Sequence, residues 1–509
     1  MKTRYFILFI TVGLMLSGCK KDFLETEPTE QVSGTKLQKM SENPAIAAEI
    51  IEGLIPGMYS WLYTPKAGGT AGDADFGQRS IDLFTDILCG DFIKTANDYG
   101  WHGDLQRYKS TVDYTNINHY TPWRYYFRLI FTANGIIDSM GGADAKFEAS
   151  QTSARHQMGQ ALVMRGHAYY YLAQLFAPEY RPNDQLCPIY TTTVKVNNPV
   201  STQKEVYDLI ISDLEKAKTL LADFQRANKS QFNADLASAF LALTYAAMGQ
   251  YDKVETLTAE LMAKPDYAPM TAAEVVYDPV TKTGGGFNDV NVKDVMWGTD
   301  INPTMNIGLY SWWGQCDIFT YSYAVAGEPK CIDDKLYDSM RQDDVRRKQF
   351  GDLRKNFGSE AFINVPYNKF FHADRKISGQ RAIDADYIYM RVSEMHLLNA
   401  EAKAFLNKDD EAKAVLKNFL KERITDLSYL DALTGQALKD EIYKQFRLEF
   451  VGEGKSYLAL KRFKATVHTG KIRFDAENRE ISIPYDDKRM YFKIPENERL
   501  NNPNLGLNL

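Results

Sequence analysis

Apolar residues recur three and four positions apart in five long stretches of the chain, and this spacing predicts helices that bury one face. Trp123 opens a further apolar helical run, and the third stretch is interrupted at Gly249, which divides it into two helices. The chain is therefore expected to be mainly α-helical. The stretches are 157–176, 203–222, 233–263, 390–421 and 437–463.

The two helices of the third stretch carry the spacing of a tetratricopeptide (TPR) hairpin, in which two short helices pack side by side. Leu241, Tyr245, Gly249 and Tyr251 lie at the expected offsets, and 394–420 repeats the pattern. No strict period of about 34 residues runs along the chain. We therefore expect irregular TPR-like hairpins instead of a regular solenoid.

Two segments, 60–122 and 264–385, have weak periodicity and many Gly, Pro, Asn, Asp and aromatic residues. Long structured loops on a helical scaffold often carry the binding site of a protein. We expect both segments to be insertions that form the ligand-binding part of a single domain covering 36–509. Residues 19–35 are expected to tether this domain to the N-terminal anchor.

The first residues have the composition of an export signal. Lys2 and Arg4 precede an apolar run of twelve residues, shorter than the roughly 20 residues that a bilayer span needs. Cys19 follows small residues, which resembles the cleavage site of bacterial lipoproteins, where this cysteine becomes acylated. The prediction is a lipoprotein signal peptide over 1–18 and lipidation of Cys19. The alternative is an ordinary secretory cleavage site with a chance cysteine.

Composition narrows the classes of function. The 509 residues include 60 Lys and Arg against 66 Asp and Glu, and the net charge of −6 disfavours a nucleic-acid binder with a basic surface. The remaining cysteines form no CxxC pair, so the motif of a zinc ribbon or a thioredoxin is missing. Cys316 and Cys331 are close enough in sequence for a disulfide, although buried thiols are the commoner case.

Motifs for catalysis are weak. The letters GKS occur at 454–456, but the phosphate-loop motif needs a glycine where Glu449 stands. Glu449 and Glu453 lie one helical turn apart, so they cannot easily act on opposite sides of a glycosidic bond, and pairing with Arg447, Lys455 or Arg462 explains them better. The seven histidines lack the spacing of zinc ligands. No enzymatic activity and no cofactor are expected.

A metal site is not assigned from the sequence. Asp73 with Asp75, and Asp384 with Asp386, could contribute to a calcium site. Calcium takes about six to eight oxygen ligands, and two acids fall short of that number. Calcium binding therefore stays open, without named ligands.

Aromatic residues are abundant, with 31 Tyr, 27 Phe and 6 Trp. Sugar rings present C–H faces that stack on Trp or Tyr, while their hydroxyl groups need amides or carboxylates at the edge of the ring. Two loop clusters combine these side chains and are the predicted ligand-binding site. Its residues are Asn97, Asp98, Tyr99 and Trp101 in the first cluster and Tyr310, Trp312, Trp313, Tyr321 and Tyr323 in the second.

Tryptophan rings also have an ordinary structural explanation. At least one of Trp312 and Trp313 could pack inward as a loop anchor, since large apolar rings are usually buried. Trp61, Trp123 and Trp297 are expected in the core.

Seven segments carry a recognisable pattern, in this order: CKKDFLETEP (19–28), RGHAYYYLAQLFA (165–177), CPIY (187–190), VYDLIISDLEKAKTLL (206–221), YIYMRVSEMHLLNAEA (387–402), FRLEFVGEGKSYLALKRF (446–463) and IPENERLNNPNL (494–505). Together they resemble the SusD/RagB family of outer-membrane lipoproteins from Bacteroidetes, and the resemblance covers essentially the whole chain. The chain departs from the family pattern at Lys455 and Ala459, where Arg and Asp are usual, and near 176–178, where a Gly is usual. These positions belong to the scaffold.

The resemblance implies a SusD-like fold, with about four TPR units packed against a loop-rich ligand-binding part. It implies a lipid-anchored protein on the outer membrane, facing the cell exterior, which covers a SusC-type TonB-dependent transporter. Such a protein would capture glycans and pass them to the transporter without chemistry and without nucleic-acid partners. Two alternatives remain: a structural lid with little ligand affinity, and a peptide-binding member of the same family.

Overall fold

The structure is a computed structural model that describes residues 53–70, 72–379, 381–475 and 480–505. The expected signal peptide, Cys19 and the tether lie outside these residues. Residues 53–60 are helical. The main helices that follow are α1 (Gln78–Cys89), α2 (Ile117–Ser139), α3 (Thr152–Phe176), α4 (Gln203–Leu220), α5 (Ala234–Ala247), α6 (Tyr251–Met262), α7 (Val392–Phe405), α8 (Asp409–Leu420), α9 (Gly435–Glu449) and α10 (Ser456–Arg462).

The remaining regular secondary structure consists of short elements. The strands β1 (Phe92–Lys94), β2 (Gln185–Pro188), β3 (Val200–Thr202), β4 (Val295–Thr299), β5 (Lys330–Ile332), β6 (Tyr387–Arg391), β7 (Thr466–Thr469) and β8 (Ile481–Pro484) form the antiparallel pairs β1–β5, β2–β3, β4–β6 and β7–β8. Short α-helical segments lie at Gly103–Gln106, Ala272–Val275, Trp312–Cys316, Asp334–Asp338, Arg354–Phe357 and Glu496–Asn501. Single 3-10 turns lie at Pro303–Met305, Val345–Gln349, Ser428–Ala432, Lys488–Met490 and Pro503–Leu505.

The mainly α-helical fold with TPR-like hairpins is confirmed. Helices α2 to α8 each pack against the next helix in the chain, as in a TPR array. The predicted break at Gly249 separates α5 from α6, and Gly249 has the positive φ of 73° that favours glycine at a helix end. At the start of α4, Thr202 and Glu205 form a reciprocal capping box.

Helix α1 lies inside the segment 60–122, where weak periodicity predicts no long helix. All twelve of its residues are buried, yet Ile81, Phe84 and Leu88 recur three and four positions apart, which is helical spacing. Its polar face is covered by other parts of the protein: Arg79 pairs with Asp82 at 3.1 Å and donates to the carbonyl oxygen of Gly452 at 2.8 Å. The local spacing therefore indicates this helix, although the composition of the whole segment is typical of loops.

Glu449 and Glu453 belong to a buried network of ion pairs, but their partners are not the expected ones. Arg447, Lys455 and Arg462 pair instead with Asp91, Glu394 and Glu401, respectively. Arg391 contacts Glu449 at 3.0 Å and Glu453 at 2.7 Å, and Arg423 contacts Glu449 at 2.9 Å. Lys369 contacts Glu453 at 2.9 Å. The two carboxylates are thus committed to holding β6, α9 and the connections between them.

The GKS letters lie in a glycine turn that packs on α1. Gly452 and Gly454 have φ values of 79° and 77°, and the backbone N–H of Gly454 donates to Asp86 at 2.9 Å. Cys89, Cys187, Cys316 and Cys331 are free and buried, so the suspected disulfide is not formed. Within the described ranges, no helix is both long and apolar enough to cross a bilayer.

Candidate ligand-binding surface

The two predicted aromatic clusters, more than 200 residues apart in sequence, meet on one surface. Strand β1 ends at Lys94, shortly before the first cluster, and β5 begins at Lys330, shortly after the second. Because the two strands pair antiparallel, with Lys94 opposite Lys330, the segments outside this pair of residues lie side by side. The loop 97–101 therefore packs against the segment 321–328.

Ring contacts join the clusters. The centroid of Tyr323 lies 5.0 Å from that of Tyr99 and 6.0 Å from that of Trp101, at inclined angles of about 60°. Burial and then Asp73 raise the pKa of the Tyr323 hydroxyl, and the neighbouring Tyr310 adds a smaller effect. We call Tyr99, Trp101, Tyr310 and Tyr323 the aromatic surface. Tyr99 and Tyr310 are 46% and 40% exposed, so part of each side chain is accessible to a ligand.

Tyr321 is also exposed, two residues before Tyr323. Its ring lies under the guanidinium group of Arg381, 4.3 Å from the centroid, which is a cation–π distance. Part of this ring is thus covered by Arg381, and Tyr321 is a neighbour of the aromatic surface.

A buried lysine holds the loop that carries Tyr99 and Trp101. The ammonium group of Lys94 contacts Glu328 at 2.7 Å, donates to Asn97 Oδ1 at 2.6 Å and also donates to the carbonyl oxygen of Trp101. Glu328 in turn accepts the backbone N–H of Tyr99 at 2.6 Å. Burial, and next the charge of Lys330, lower the pKa of Lys94 to about 8.

Asn97 and Asp98, the predicted polar residues of the first cluster, have different surroundings. The carbonyl oxygen of Asn97 accepts a hydrogen bond from Lys94 and helps to shape the loop, so ligand contact by Asn97 stays a prediction for its amide NH₂ group. Asp98 is exposed beside the aromatic surface, with its carboxylate next to Gly327. Asp98 is therefore the acid of this cluster that can accept a hydroxyl group of a ligand.

Asp73 positions the ring of Tyr323. The Tyr323 hydroxyl donates to Asp73 Oδ2, and burial followed by this hydrogen bond raises the pKa of Tyr323 above its usual value. Sequence reasoning considered Asp73 only for calcium. Its neighbour Asp75 accepts the backbone N–H groups of Gly68 and Thr70, at 2.7 and 3.0 Å, so both acids are used by the protein itself.

Trp312 and Trp313 are 1% and 2% exposed, which corrects the prediction that they present rings to a ligand. They lie in the short helix Trp312–Cys316, whose N-cap Ser311 accepts the N–H of Gly314. The ring of Trp312 packs 4.6 Å from Phe370, and the guanidinium carbon of Arg79 lies 4.7 Å above it. The inward packing proposed for at least one of these tryptophans holds for both.

The three tryptophans that were expected in the core differ in burial. Trp123 and Trp297 are buried in the core, as expected. Trp61 is only half-buried, and the guanidinium group of Arg128 covers its ring at 4.5 Å, which corrects its assignment to the core.

Asp73, Asp75, Asp384 and Asp386 are the acids that could contribute to a calcium site. In the part of the chain that the structure describes, no group of three or more His, Cys, Asp or Glu residues is arranged to hold a metal ion. Asp384 contacts His372 Nε2 at 2.6 Å, and Asp386 accepts the N–H groups of Val290 and Ile301.

Sequence reasoning missed the cations beside the aromatic surface. The ammonium group of Lys66 lies 5.5 Å from the ring centroid of Tyr310, and Arg124 and Arg128 lie nearby on α2. These residues belong to no motif, and Lys66 is far in sequence from Arg124 and Arg128. The spacing of four residues could have placed Arg124 and Arg128 on one face of α2, but it could not have placed Lys66 beside them.

Two family models match the chain. One, described as starch-binding and associating with the outer membrane, matches residues 46–246, and the other, described as the SusD family, matches residues 310–508. Together they account for most of the sequence. No curated protein matches the chain.

Several solved structures share the fold. A SusD-like carbohydrate binding protein from Bacteroides vulgatus is 22% identical, with a TM-score of 0.72 over 93% of this chain and 98% of that one. A SusD superfamily protein from Bacteroides thetaiotaomicron is 19% identical, with a TM-score of 0.71 over 90% and 98%. Surface glycan-binding protein A from Bacteroides uniformis is 17% identical, with a TM-score of 0.62 over 90% and 99%. At these identities the likeness establishes the fold.

Proposed function

The chain belongs to the SusD/RagB family, and we propose that it binds oligo- or polysaccharides at the cell surface and passes them to a TonB-dependent outer-membrane transporter. In this role the protein changes no covalent bond of its ligand. Acylation of Cys19 would hold it on the membrane, because acyl chains contribute about 0.8 kcal/mol for each buried CH₂.

One observation carries the binding proposal: Tyr99 and Tyr323, from separate loops, bring their rings to 5.0 Å at an exposed surface. Aromatic rings offer a flat apolar face to the C–H groups of a sugar, and inclined neighbouring rings can follow the turn between successive sugars. Asp98 lies at the edge, where it can accept a hydroxyl group. Rigid support from Asp73 and Glu328 limits the entropy lost on binding.

Affinity at such a surface should be modest. Sugar hydroxyl groups are well hydrated, and removing that water offsets much of the gain from stacking. A weak site still serves uptake, since the anchored protein raises the ligand concentration at the transporter. Rapid release then favours transfer.

Binding isotherms test the proposal on a soluble form lacking residues 1–19. We expect a panel of neutral and acidic glycans to contain at least one ligand. Tyr99→Ala and Tyr323→Ala should each weaken its binding about fivefold, since an aromatic contact contributes about 1 kcal/mol. Tyr114→Ala is the matched control, because Tyr114 is 39% exposed and lies in the segment before α2, outside the aromatic surface.

Three results would contradict the proposal. Failure of every glycan to bind would remove the carbohydrate role, and an equal effect of Tyr114→Ala would remove the assignment to the aromatic surface. Turnover of a glycan by the purified protein would establish an enzyme instead. Delivery is tested separately, by asking whether the full-length lipoprotein co-purifies with a TonB-dependent transporter from outer membranes.

A further inference from the structure

Three cations near the aromatic surface each lie over an aromatic ring. The distances from cation to ring centroid are 5.5 Å for Lys66 over Tyr310, 5.6 Å for Arg124 over Tyr120 and 4.5 Å for Arg128 over Trp61. We call Lys66, Arg124 and Arg128 the cationic strip.

The strip is one connected surface because the loop 66–69 lies on α2. Arg128 Nη1 donates to the carbonyl oxygen of Ala67 at 2.5 Å. The guanidinium group of Arg124 covers Gly69 so closely that a Cβ atom there would meet Arg124 Nε at 2.6 Å. Lys66 then joins the strip to Tyr310 and thus to the aromatic surface.

These cations lack ion-pair partners among the described residues, although the whole chain carries a net charge of −6. By contrast, Lys204 on α4 has Asp208 at 2.6 Å. Two acids lie near enough to act on the strip through space. Asp75 uses its oxygens for the N–H groups of the loop 68–70, and Glu498 is half-buried beside Trp123.

We propose that the cationic strip binds the carboxylate or sulfate groups of an acidic polysaccharide whose sugar rings lie on the aromatic surface. This inference rests on the proposed function and names the chemical class of its ligand. Each sugar that stacks on Tyr310 would place its anionic substituent within reach of Lys66. The following residues of the polymer would then pass Arg124 and Arg128.

Physical chemistry favours an anion at this place. Three like charges held on a short loop and one helix face repel one another, and an anion removes that repulsion. Burial, and next the neighbouring Arg124, lower the pKa of Arg128, and the charge of Asp75 offsets only part of this effect. Arginine also suits carboxylate and sulfate groups, since its planar N–H fork can donate two parallel hydrogen bonds.

The test compares polymers that differ in charge alone. Polygalacturonate and its fully methyl-esterified form share the same ring, and alginate, hyaluronan and chondroitin sulfate extend the acidic panel. We expect at least one acidic polymer to bind more tightly than its neutral counterpart, with affinity falling as salt rises. Lys66→Gln and Arg124→Gln should each lower the affinity for that polymer about tenfold and reduce the salt dependence of its binding. Lys204→Gln, which removes a paired cation, should change neither the affinity nor its salt dependence.

The outcomes separate this inference from the proposed function. Binding of neutral glycans that depends on Tyr99, with no preference for acidic polymers, overturns the inference and keeps the function. Acidic binding that is unchanged in Lys66→Gln and Arg124→Gln overturns it as well, as does equal binding of polyglutamate, which carries carboxylates without sugar rings. If no glycan binds to the wild-type protein, both the inference and the proposed function are overturned.

Discussion

At the scale of single residues, the aromatic surface depends on a buried charge. Lys94 and Glu328 are both fully buried, and together they fix the backbone on either side of Tyr99. The ammonium group also satisfies Asn97 and the carbonyl oxygen of Trp101. Taking two charges out of water is costly, so this pair is better understood as a device that sets loop geometry than as a source of stability.

Replacing Lys94 should therefore damage the loop more than replacing the whole pair. Lys94→Met removes the ion-pair partner of the buried Glu328 and leaves it only the longer-range charge of Lys330, and we expect the free energy of unfolding to fall by about 3 kcal/mol or more. Adding Glu328→Gln should restore part of the loss. Urea unfolding measures both effects, and hydrogen exchange at 97–101 reports on the loop. A double variant less stable than Lys94→Met would contradict this account.

The same lysine predicts a pH dependence. Its pKa falls from 10.5 to about 8 on folding, so between these values the unfolded chain binds the extra proton. The contribution of Lys94 to the free energy of unfolding therefore rises as pH increases from 8 to 10.5. Urea unfolding of the wild-type protein should show this rise, and Lys94→Met should show less of it. An identical profile in both proteins would exclude Lys94 as the source.

At the scale of elements, two turns require glycine for different reasons. Gly249 and Gly454 both have positive φ, at 73° and 77°. A Cβ atom at Gly249 would meet nothing within 4 Å, whereas at Gly454 it would lie 2.6 Å from Asp82 Cα on α1. The first turn thus needs glycine for conformation alone, and the second needs it also for close packing.

Alanine substitution should separate these two requirements. Gly249→Ala is expected to cost about 1 kcal/mol, the strain of a left-handed residue. Gly454→Ala should cost clearly more, about 3 kcal/mol, because α1 must also move away from the turn. Chemical denaturation of the two variants provides the comparison. Equal losses would mean that the turn and α1 can separate freely.

Long helices were predictable, and very short strands were not. Helices α3 to α9 follow the expected stretches because apolar residues recur three and four positions apart over several turns. Helix α1 has this spacing too, but it lies in a segment whose composition is typical of loops, and β1 and β5 have three residues each, too few to display alternation. The pairing of these two strands brings the two aromatic loops together, so the meeting of Tyr99 with Tyr323 could not be derived from spacing.

The presence of aromatic residues in polar loops identified only part of the candidate site. Tyr99 and Tyr323 lie in polar loops, where a tyrosine can keep one face in water. Trp312 and Trp313 have the same kind of local sequence, yet a short helical turn capped by Ser311 directs both rings into the core. Exposure depends on contacts with Phe370 and Arg79, which are distant in the chain.

At the scale of the whole molecule, the buried ion network joins the helical scaffold to the loop-rich part. Glu449 ends α9, Arg391 ends β6, and Arg346 and Arg423 come from the segments before β6 and after α8. All four side chains are at most 2% exposed. Glu449 contacts each of the three arginines, at distances between 2.9 and 3.3 Å. Removing its charge would leave the buried Arg423 without a carboxylate partner among the described residues. Arg346 would keep Asp344, and Arg391 would keep Asp294 and Glu453.

Glu449→Gln should therefore weaken the whole fold, by about 3 kcal/mol or more in urea unfolding at pH 7. Glu260→Gln, at an exposed pair with Lys218, is the control and should leave the free energy of unfolding unchanged.

Acid provides the second readout for Glu449. Burial opposes its ionisation, but Arg423 and Arg391 outweigh that effect and hold its pKa well below the usual 4.5. A carboxylate of this kind stabilises the fold above the unfolded-state pKa, and the contribution disappears as pH falls toward the folded-state value. The difference in free energy of unfolding between wild-type protein and Glu449→Gln should accordingly be largest near neutral pH and shrink below pH 4.5. A difference that stays constant through the acid range would show that Glu449 acts through packing and hydrogen bonds instead of charge.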